Sequence, residues 1–167
     1  MKQCLIVILL LAASTAGFAQ KSTTWDKWKW LIGDWKTEGE PTPSQGFSTF
    51  SFKPDLDQMI LVRKSHTEFE QLRSKAATYD DLLIVYPGYS GTQPKAVYFD
   101  SQGHAIDYTF NVSDKAITFN SNKVGNQPAF RLTYTRVDSN VINAKYEMSQ
   151  DGQTYQTYME GKSRRAK

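Results

Sequence analysis

His66 and Glu68 stand at a spacing that could move a proton. They lie two residues apart in a long run of strand-forming residues, and a strand turns every second side chain to the same face. An imidazole beside a carboxylate can act as acid and base. His66 also shares its parity with Ile60 and Val62, which aims it toward an apolar interior. Lys64 between them, with Leu61 and Phe69 on the other parity, keeps a second reading open: an ordinary hydrogen-bonded histidine. His104 follows the Gln102-Gly103 turn and belongs at a rim, near Asp100. Two histidines in separate hairpins do not make a metal signature, and Asp100 with His104 supports no more than weak surface binding. Asp80 and Asp81 are neighbours, so a strand sends them to opposite faces and they mark a strand entrance rather than a catalytic dyad. None of these residues implies a resident metal or cofactor.

Tyr86, Tyr98, Tyr108, Tyr134, Tyr146 and Tyr155 all fall in strand-like segments. Tyrosine favours strands for its shape alone. Inside a cavity its hydroxyl is also a polar anchor among apolar walls. Both readings stand.

Ten segments of period two must position these residues, at roughly 34–39, 46–53, 58–69, 79–86, 95–100, 104–112, 115–121, 129–137, 140–149 and 153–162. Turn residues separate them, among them Lys53-Pro-Asp-Leu-Asp57, Pro87-Gly88, Gln102-Gly103 and Asp151-Gly152. No second helical pattern is long enough for a crossover, which excludes parallel βαβ units. A two-residue turn at Asp151-Gly152 pairs Met148 with Tyr155, Tyr146 with Thr157 and Ala144 with Met159. The same logic at Gln102-Gly103 pairs Phe99 with Ile106 and Val97 with Tyr108. A ten-strand meander with one apolar face closes into a barrel, because closure removes both edges. Eight strands already enclose room for a small ligand, so ten leave a cavity unless bulky side chains fill it.

All 4 tryptophans lie in Trp25-Asp-Lys-Trp28-Lys-Trp30-Leu-Ile-Gly33-Asp-Trp35. Thr23 and Asp26 form a capping-box-like start, and Trp25, Trp28 and Ile32 follow at helical spacing, so a short helix over about 24–32 is predicted. It plugs one end of the barrel, with Trp28, Trp30 and Trp35 in the core. Trp25, the outermost, is the candidate for a stacking platform.

Residues 1–19 read as a secretory signal: Lys2, an apolar run from Leu5, and Gly17-Phe18-Ala19 as a small-x-small cleavage site. The run is shorter than the ~20 residues a bilayer core requires. Export, periplasmic or secreted, and a single domain over 20–167 are expected, with no transmembrane segment left. The only cysteine is Cys4, inside this leader, so disulfides and thiolate chemistry are excluded beyond it. Without Lys2 the 20 basic residues become 19 against 17 acidic ones, a net charge near +2 that argues against nucleic acid.

Trp30-Leu-Ile-Gly-Asp-Trp35, Glu38-Gly39 and Phe47-Ser-Thr-Phe-Ser-Phe52 resemble the opening of calycin-type barrels. With Asp81-Leu-Leu-Ile-Val-Tyr-Pro87, Tyr98-Phe-Asp-Ser-Gln-Gly-His104, Phe130-Arg-Leu-Thr-Tyr134 and Met159-Glu-Gly-Lys-Ser-Arg164, the chain is similar to exported bacterial lipocalin-like domains of unassigned activity. The resemblance implies an all-β, roughly ten-stranded antiparallel up-and-down barrel with a short N-terminal plug helix. It also implies that Arg164 or Arg165 stacks on Trp35. The function it suggests is binding of a small, largely apolar ligand, with Phe50, Phe52, Val62, Tyr108, Phe119, Tyr134, Tyr146 and Tyr155 as the wall and His66 as a polar contact. Three alternatives stand beside it. Haem binding comes from a more distant likeness to nitrobindin-like barrels, although no histidine follows His104. A barrel enzyme would use His66 and Glu68. An envelope interaction module would have its barrel filled solid.

Overall fold

The computed structural model describes residues 25–39, 46–69, 77–88 and 93–167. The signal-like leader with Cys4, and Thr23 of the capping pair, lie outside the described residues.

Ten strands follow one another in chain order: β1 (Gly33–Thr37), β2 (Phe47–Asp55), β3 (Ile60–Phe69), β4 (Ala77–Tyr86), β5 (Lys95–Asp100), β6 (Ala105–Val112), β7 (Ala116–Asn120), β8 (Ala129–Arg136), β9 (Val141–Ser149) and β10 (Gln156–Arg165). Each pairs antiparallel with its neighbours in sequence, and β1 pairs with β10, so the sheet closes into a ten-stranded up-and-down barrel. Apart from β10, which is displaced by three residues at both ends, the strands lie within about two residues of those expected. Among the described residues no helix is long and apolar enough to cross a membrane.

Closure turns on Trp35, Arg165 and Gly33. The Arg165 guanidinium lies 4.4 Å from the Trp35 ring centroid, a cation–π contact. It donates to the Ile32 carbonyl at 2.8 Å and the Trp30 carbonyl at 2.9 Å. The Trp35 indole donates to the Leu31 carbonyl at 2.8 Å. Side chains thus take the carbonyls that further helical turns would have used. The expected helix over 24–32 is accordingly a single 3-10 turn, Asp26–Trp28. Gly33 then enters β1 at φ 129°, and a Cβ there would collide with an Arg165 guanidinium nitrogen.

The plug packs aromatic on aromatic. Trp28 meets Phe110 edge-on at 5.4 Å and Phe119 at 6.0 Å, and Trp25 meets Trp28 edge-on at 5.8 Å. Trp25 is buried, and its indole donates to the Gln58 carbonyl at 2.8 Å. It is therefore core rather than the exposed stacking platform its outermost position suggested. Trp30 is the partly buried one.

Arg165→Lys keeps the charge but loses the planar fork and both carbonyl bonds, and destabilises the barrel by about 2–3 kcal/mol. Gly33→Ala, which collides with the same guanidinium, costs about as much. Denaturant unfolding with unchanged m-value checks both.

Candidate functional site

Alternation along each strand decides which side chains see the lumen. Near the plug the lumen is packed: Phe52, Leu61, Leu83, Ile117, Phe119 and Ile142 are fully buried. Phe52 and Tyr134 meet edge-on at 5.3 Å. Toward the other end, where β1 ends and β2 begins, a cavity of about 120 Å³ remains. Phe50, Arg63 and Tyr134 line it together with Leu132, Ala144, Tyr146 and Met159; Thr37, Gly46, Ser48, Gly161, Lys162 and Ser163 complete the lining. A wider hollow of about 390 Å³ by Lys64, Leu82 and Phe99 is open to solvent across most of its face and encloses nothing.

The cavity wall has two characters. β8, β9 and β10 contribute Leu132, Ala144, Tyr146 and Met159. Phe130 stacks on Tyr146 with centroids 5.7 Å apart. A bulge between Thr157 and Met159 leaves Tyr158 edge-on to Tyr146 at 6.1 Å, still 71% exposed. Bulges re-aim side chains in this way beside binding sites.

β3 contributes charge through Arg63, backed by polar groups of β4 and β5 that do not line the cavity. Arg63 pairs with Asp81, both side chains nearly out of solvent, and its guanidinium lies 5.2 Å from the Phe50 centroid. Arg63 Nε is buried with no hydrogen-bond partner. The Tyr98 and Tyr79 hydroxyls are 2.6 Å apart, and Tyr79 donates to Asp100 Oδ2 at 2.7 Å. Asp100 Oδ1 accepts from the backbone nitrogens of Gln102 at 2.9 Å and His104 at 3.0 Å. His104 Nδ1 lies 2.8 Å from Asp100 Oδ2.

These surroundings set the charges. Burial disfavours the ionised Asp100, but hydrogen bonds from Tyr79 and from His104 and Gln102 outweigh it and bring its pKa down to about 2. Burial also disfavours a charged Arg63, yet the Asp81 carboxylate more than compensates and its pKa lies above the ordinary value. Burial pushes Tyr134 up to about 12 and raises Tyr79, Tyr98, Tyr108 and Tyr146 as well. The phenols are therefore neutral at physiological pH.

Of the nine residues expected at a ligand, Phe50, Tyr134 and Tyr146 line the cavity. Phe52, Tyr108 and Phe119 face the lumen but lie in the packed core. Val62 and His66 are corrected to the outer face of β3, because Leu61, Arg63, Ser65 and Thr67 take the inner one. His66 Nδ1 lies 2.7 Å from Asp80 and its Nε2 3.4 Å from Glu68, outside the barrel, so this pair cannot serve a reaction within it. The telling signal was that Lys64, His66 and Glu68 share one parity: three ionisable groups on one face mark the solvent side.

Tyr155 is corrected too. Turn 150–155 is longer than the two residues expected, since Asp151 Oδ1 accepts from the backbone nitrogens of Gln153 and Thr154 at 2.8 and 2.7 Å. β10 therefore pairs Gln156 with Met148 and, past the bulge, Met159 with Tyr146. Tyr155 instead lies under the Arg131 guanidinium at 4.1 Å, beside the outer Arg131–Glu147 pair. The β5–β6 register is likewise displaced by one: Tyr98 pairs with Ile106 and Ala96 with Tyr108. That displacement brings Tyr98 and Asp100 inward and leaves Phe99 42% exposed. Sequence reasoning had no place for Arg63, Asp81 or Tyr79 in the lumen.

Among the described residues no group of three or more His, Cys, Asp or Glu side chains gathers to hold a metal. No protein-family model matches the chain, and no curated protein matches it.

A depressed carboxylate stabilises the fold above its ordinary pKa of 3.8, and the gain is lost as pH falls toward about 2. Asp100→Asn removes that acid limb and costs about 1–2 kcal/mol at pH 7, measured by unfolding across pH. His66 behaves oppositely. The hydrogen bond to Asp80 raises its pKa above 6.5, so its small contribution is complete below that value and fades as pH rises through the raised one. NMR titration shows a midpoint above 6.5 that returns toward 6.5 in Asp80→Asn.

Proposed function

We propose that the protein binds a small, largely apolar molecule at the end of its barrel opposite the tryptophan plug. The observation that carries this is the cavity of about 120 Å³ left in an otherwise packed lumen, walled by Phe50, Tyr134 and Tyr146. A cavity of ~150 Å³ lined by apolar side chains accepts benzene, whereas drug-sized sites measure ~300–1,000 Å³. The ligand is thus of benzene size, and a larger molecule enters only in part. Phe50, Tyr134 and Tyr146 make the aromatic wall, with Leu132, Ala144 and Met159 beside them.

The calycin-type reading belongs with this proposal. Arg165 over Trp35 is the stacking that the resemblance implies, while Arg164 turns to Glu38. The leader-like residues 1–19 support export. Haem finds little support, because His66 and His104 both lie outside the lumen. The packed half of the barrel favours a second reading, an interaction module that takes no guest.

Benzene at ten times its Kd stabilises the native protein by about 1.4 kcal/mol and raises Tm by about 4 °C. Ala144→Leu fills the space and abolishes that shift while the variant stays folded. Native mass spectrometry of protein purified from its own source shows a retained small mass that the same variant lacks. No shift and no retained mass would leave the solid-barrel module as the function.

A further inference from the structure

The outer face of β3, β4 and β5 departs from the pattern of the rest of the barrel. Leu82-Leu-Ile-Val-Tyr86 and Ile60-Leu-Val62 are unbroken apolar runs. Alternation sends Leu61, Leu83 and Val85 into the core and turns Val62, Leu82, Ile84 and Tyr86 outward, where they stay partly exposed. On β5 Val97 and Phe99 point the same way, and Phe99 is 42% exposed. The outer residues of β7, β8 and β9 are instead polar: Thr118, Asn120, Arg131, Thr133, Lys145 and Glu147. A solvated antiparallel face carries polar residues at alternate positions, whereas strands apolar on both faces are covered on both. We infer that a second copy of the chain covers this face, in a dimer whose two-fold axis runs along β4.

Register makes the face self-complementary. Val62 and Val97 flank Ile84 in one row, and Lys64 and Phe99 flank Leu82 in the next. An axis along β4 exchanges the two flanks. Ile84 then meets its own copy, and Val62 of one protomer meets Val97 of its partner. The Phe99 ring enters the solvent-open hollow beside Lys64 and Leu82 and lies under the Lys64 ammonium, a cation–π arrangement. The Ile84 row ends in Lys53 on β2 and Asp107 on β6, so the same exchange sets Lys53 opposite Asp107 twice. Lys53 holds Asp34 at 2.8 Å in an exposed pair, which leaves its ammonium further donors. At the plug end Lys95, beside Tyr86, comes within one strand of Asp55, beside Ile60. His66 and Asp80 form the next row toward the open end, a polar rim closed by their own contact. Asp55, Asp80 and Asp107 interleave with the three lysines, so an anionic lipid surface is repelled as much as attracted. Strands lie about 4.8 Å apart and same-face residues about 6.8 Å apart, so the patch covers a few hundred Å² and the dimer is of the weak class, with a micromolar Kd.

Sedimentation velocity from about 1 µM to about 1 mM follows the dimer across its dissociation. Ile84→Lys sets two ammonium groups on the axis and gives a monomer at every concentration, whereas Thr135→Lys on the outer face of β8 leaves association unchanged. Phe99→Ser, at the most exposed of these apolar positions, serves if Ile84→Lys fails to fold, and weakens the dimer about tenfold. Lys53→Glu or Asp107→Lys alone raises Kd about threefold to tenfold, the range of two exposed ion pairs, and the double variant restores it. A monomer throughout, or a dimer indifferent to Ile84→Lys and Phe99→Ser, overturns the inference. A double variant no better than either single one overturns the axis along β4. Binding of the monomer to phosphatidylglycerol vesicles, abolished by Ile84→Lys, also overturns the dimer, since a lipid surface then covers the face. None of these outcomes touches the cavity, which lies on the inner side of the wall.

Discussion

The guanidinium of Arg165 lies over the Trp35 indole and ties down two backbone carbonyls of the plug. It does so from the last strand of the barrel, so it joins the final turn of the chain to the first. β1 and β10 can then pair, and neither leaves an open edge. The contact is possible because residue 33 has no side chain. Without it the plug carbonyls would need other partners, and Trp28 would have no fixed seat over Phe110 and Phe119. The lumen behind that seat is packed with fully buried apolar side chains, and a low-dielectric surrounding strengthens charges further along it.

Closing the ring gives every strand an inner face, and the inner faces are not alike. β6 to β9 carry mostly aromatic and aliphatic side chains inward, whereas β3, β4 and β5 carry Arg63, Ser65, Thr67, Tyr79, Asp81, Tyr98 and Asp100. Burying an ion pair such as Arg63 with Asp81 seldom stabilises a fold relative to apolar residues of the same shape. Here the aromatic plug supplies the stability, and the polar wall stands where the packing leaves space. Tyr79, Tyr98 and Asp100 relay hydrogen bonds from that wall to His104 at the barrel end.

Much of this architecture is legible in the residue order. Period two, interrupted by Asp57, Gly103, Asp138 and Gly152, located all ten strands, and the tryptophan cluster marked the plugged end. The inward sets on β7, β8 and β9 are those expected, because Ile117, Phe119, Leu132, Tyr134, Ala144 and Tyr146 alternate with polar residues. The site was less legible. Asp100 and Asp151 both bend their own turns by accepting backbone N–H groups, which lengthens the connection and displaces the register. One residue of slip exchanges inside for outside, so Phe99 was expected in the lumen and Tyr98 was found there. On β3 the apolar Val62 suggested an inward parity that the clustered charges of Lys64, His66 and Glu68 contradict, and His66 was aimed the wrong way.

By itself the sequence determined that this chain makes antiparallel strands, where all but the last of them roughly start and stop, and that a knot of indoles seals one end, since periodicity and turn chemistry are local properties of neighbouring residues. Tertiary structure alone decided which ionisable groups share the lumen. Arg63 and Asp81 meet across a strand pair, and Tyr79 reaches Asp100 through another, at separations that depend on register, on side-chain caps within the turns and on closure of the whole ring. Those are long-range constraints, and no stretch of neighbouring residues encodes them.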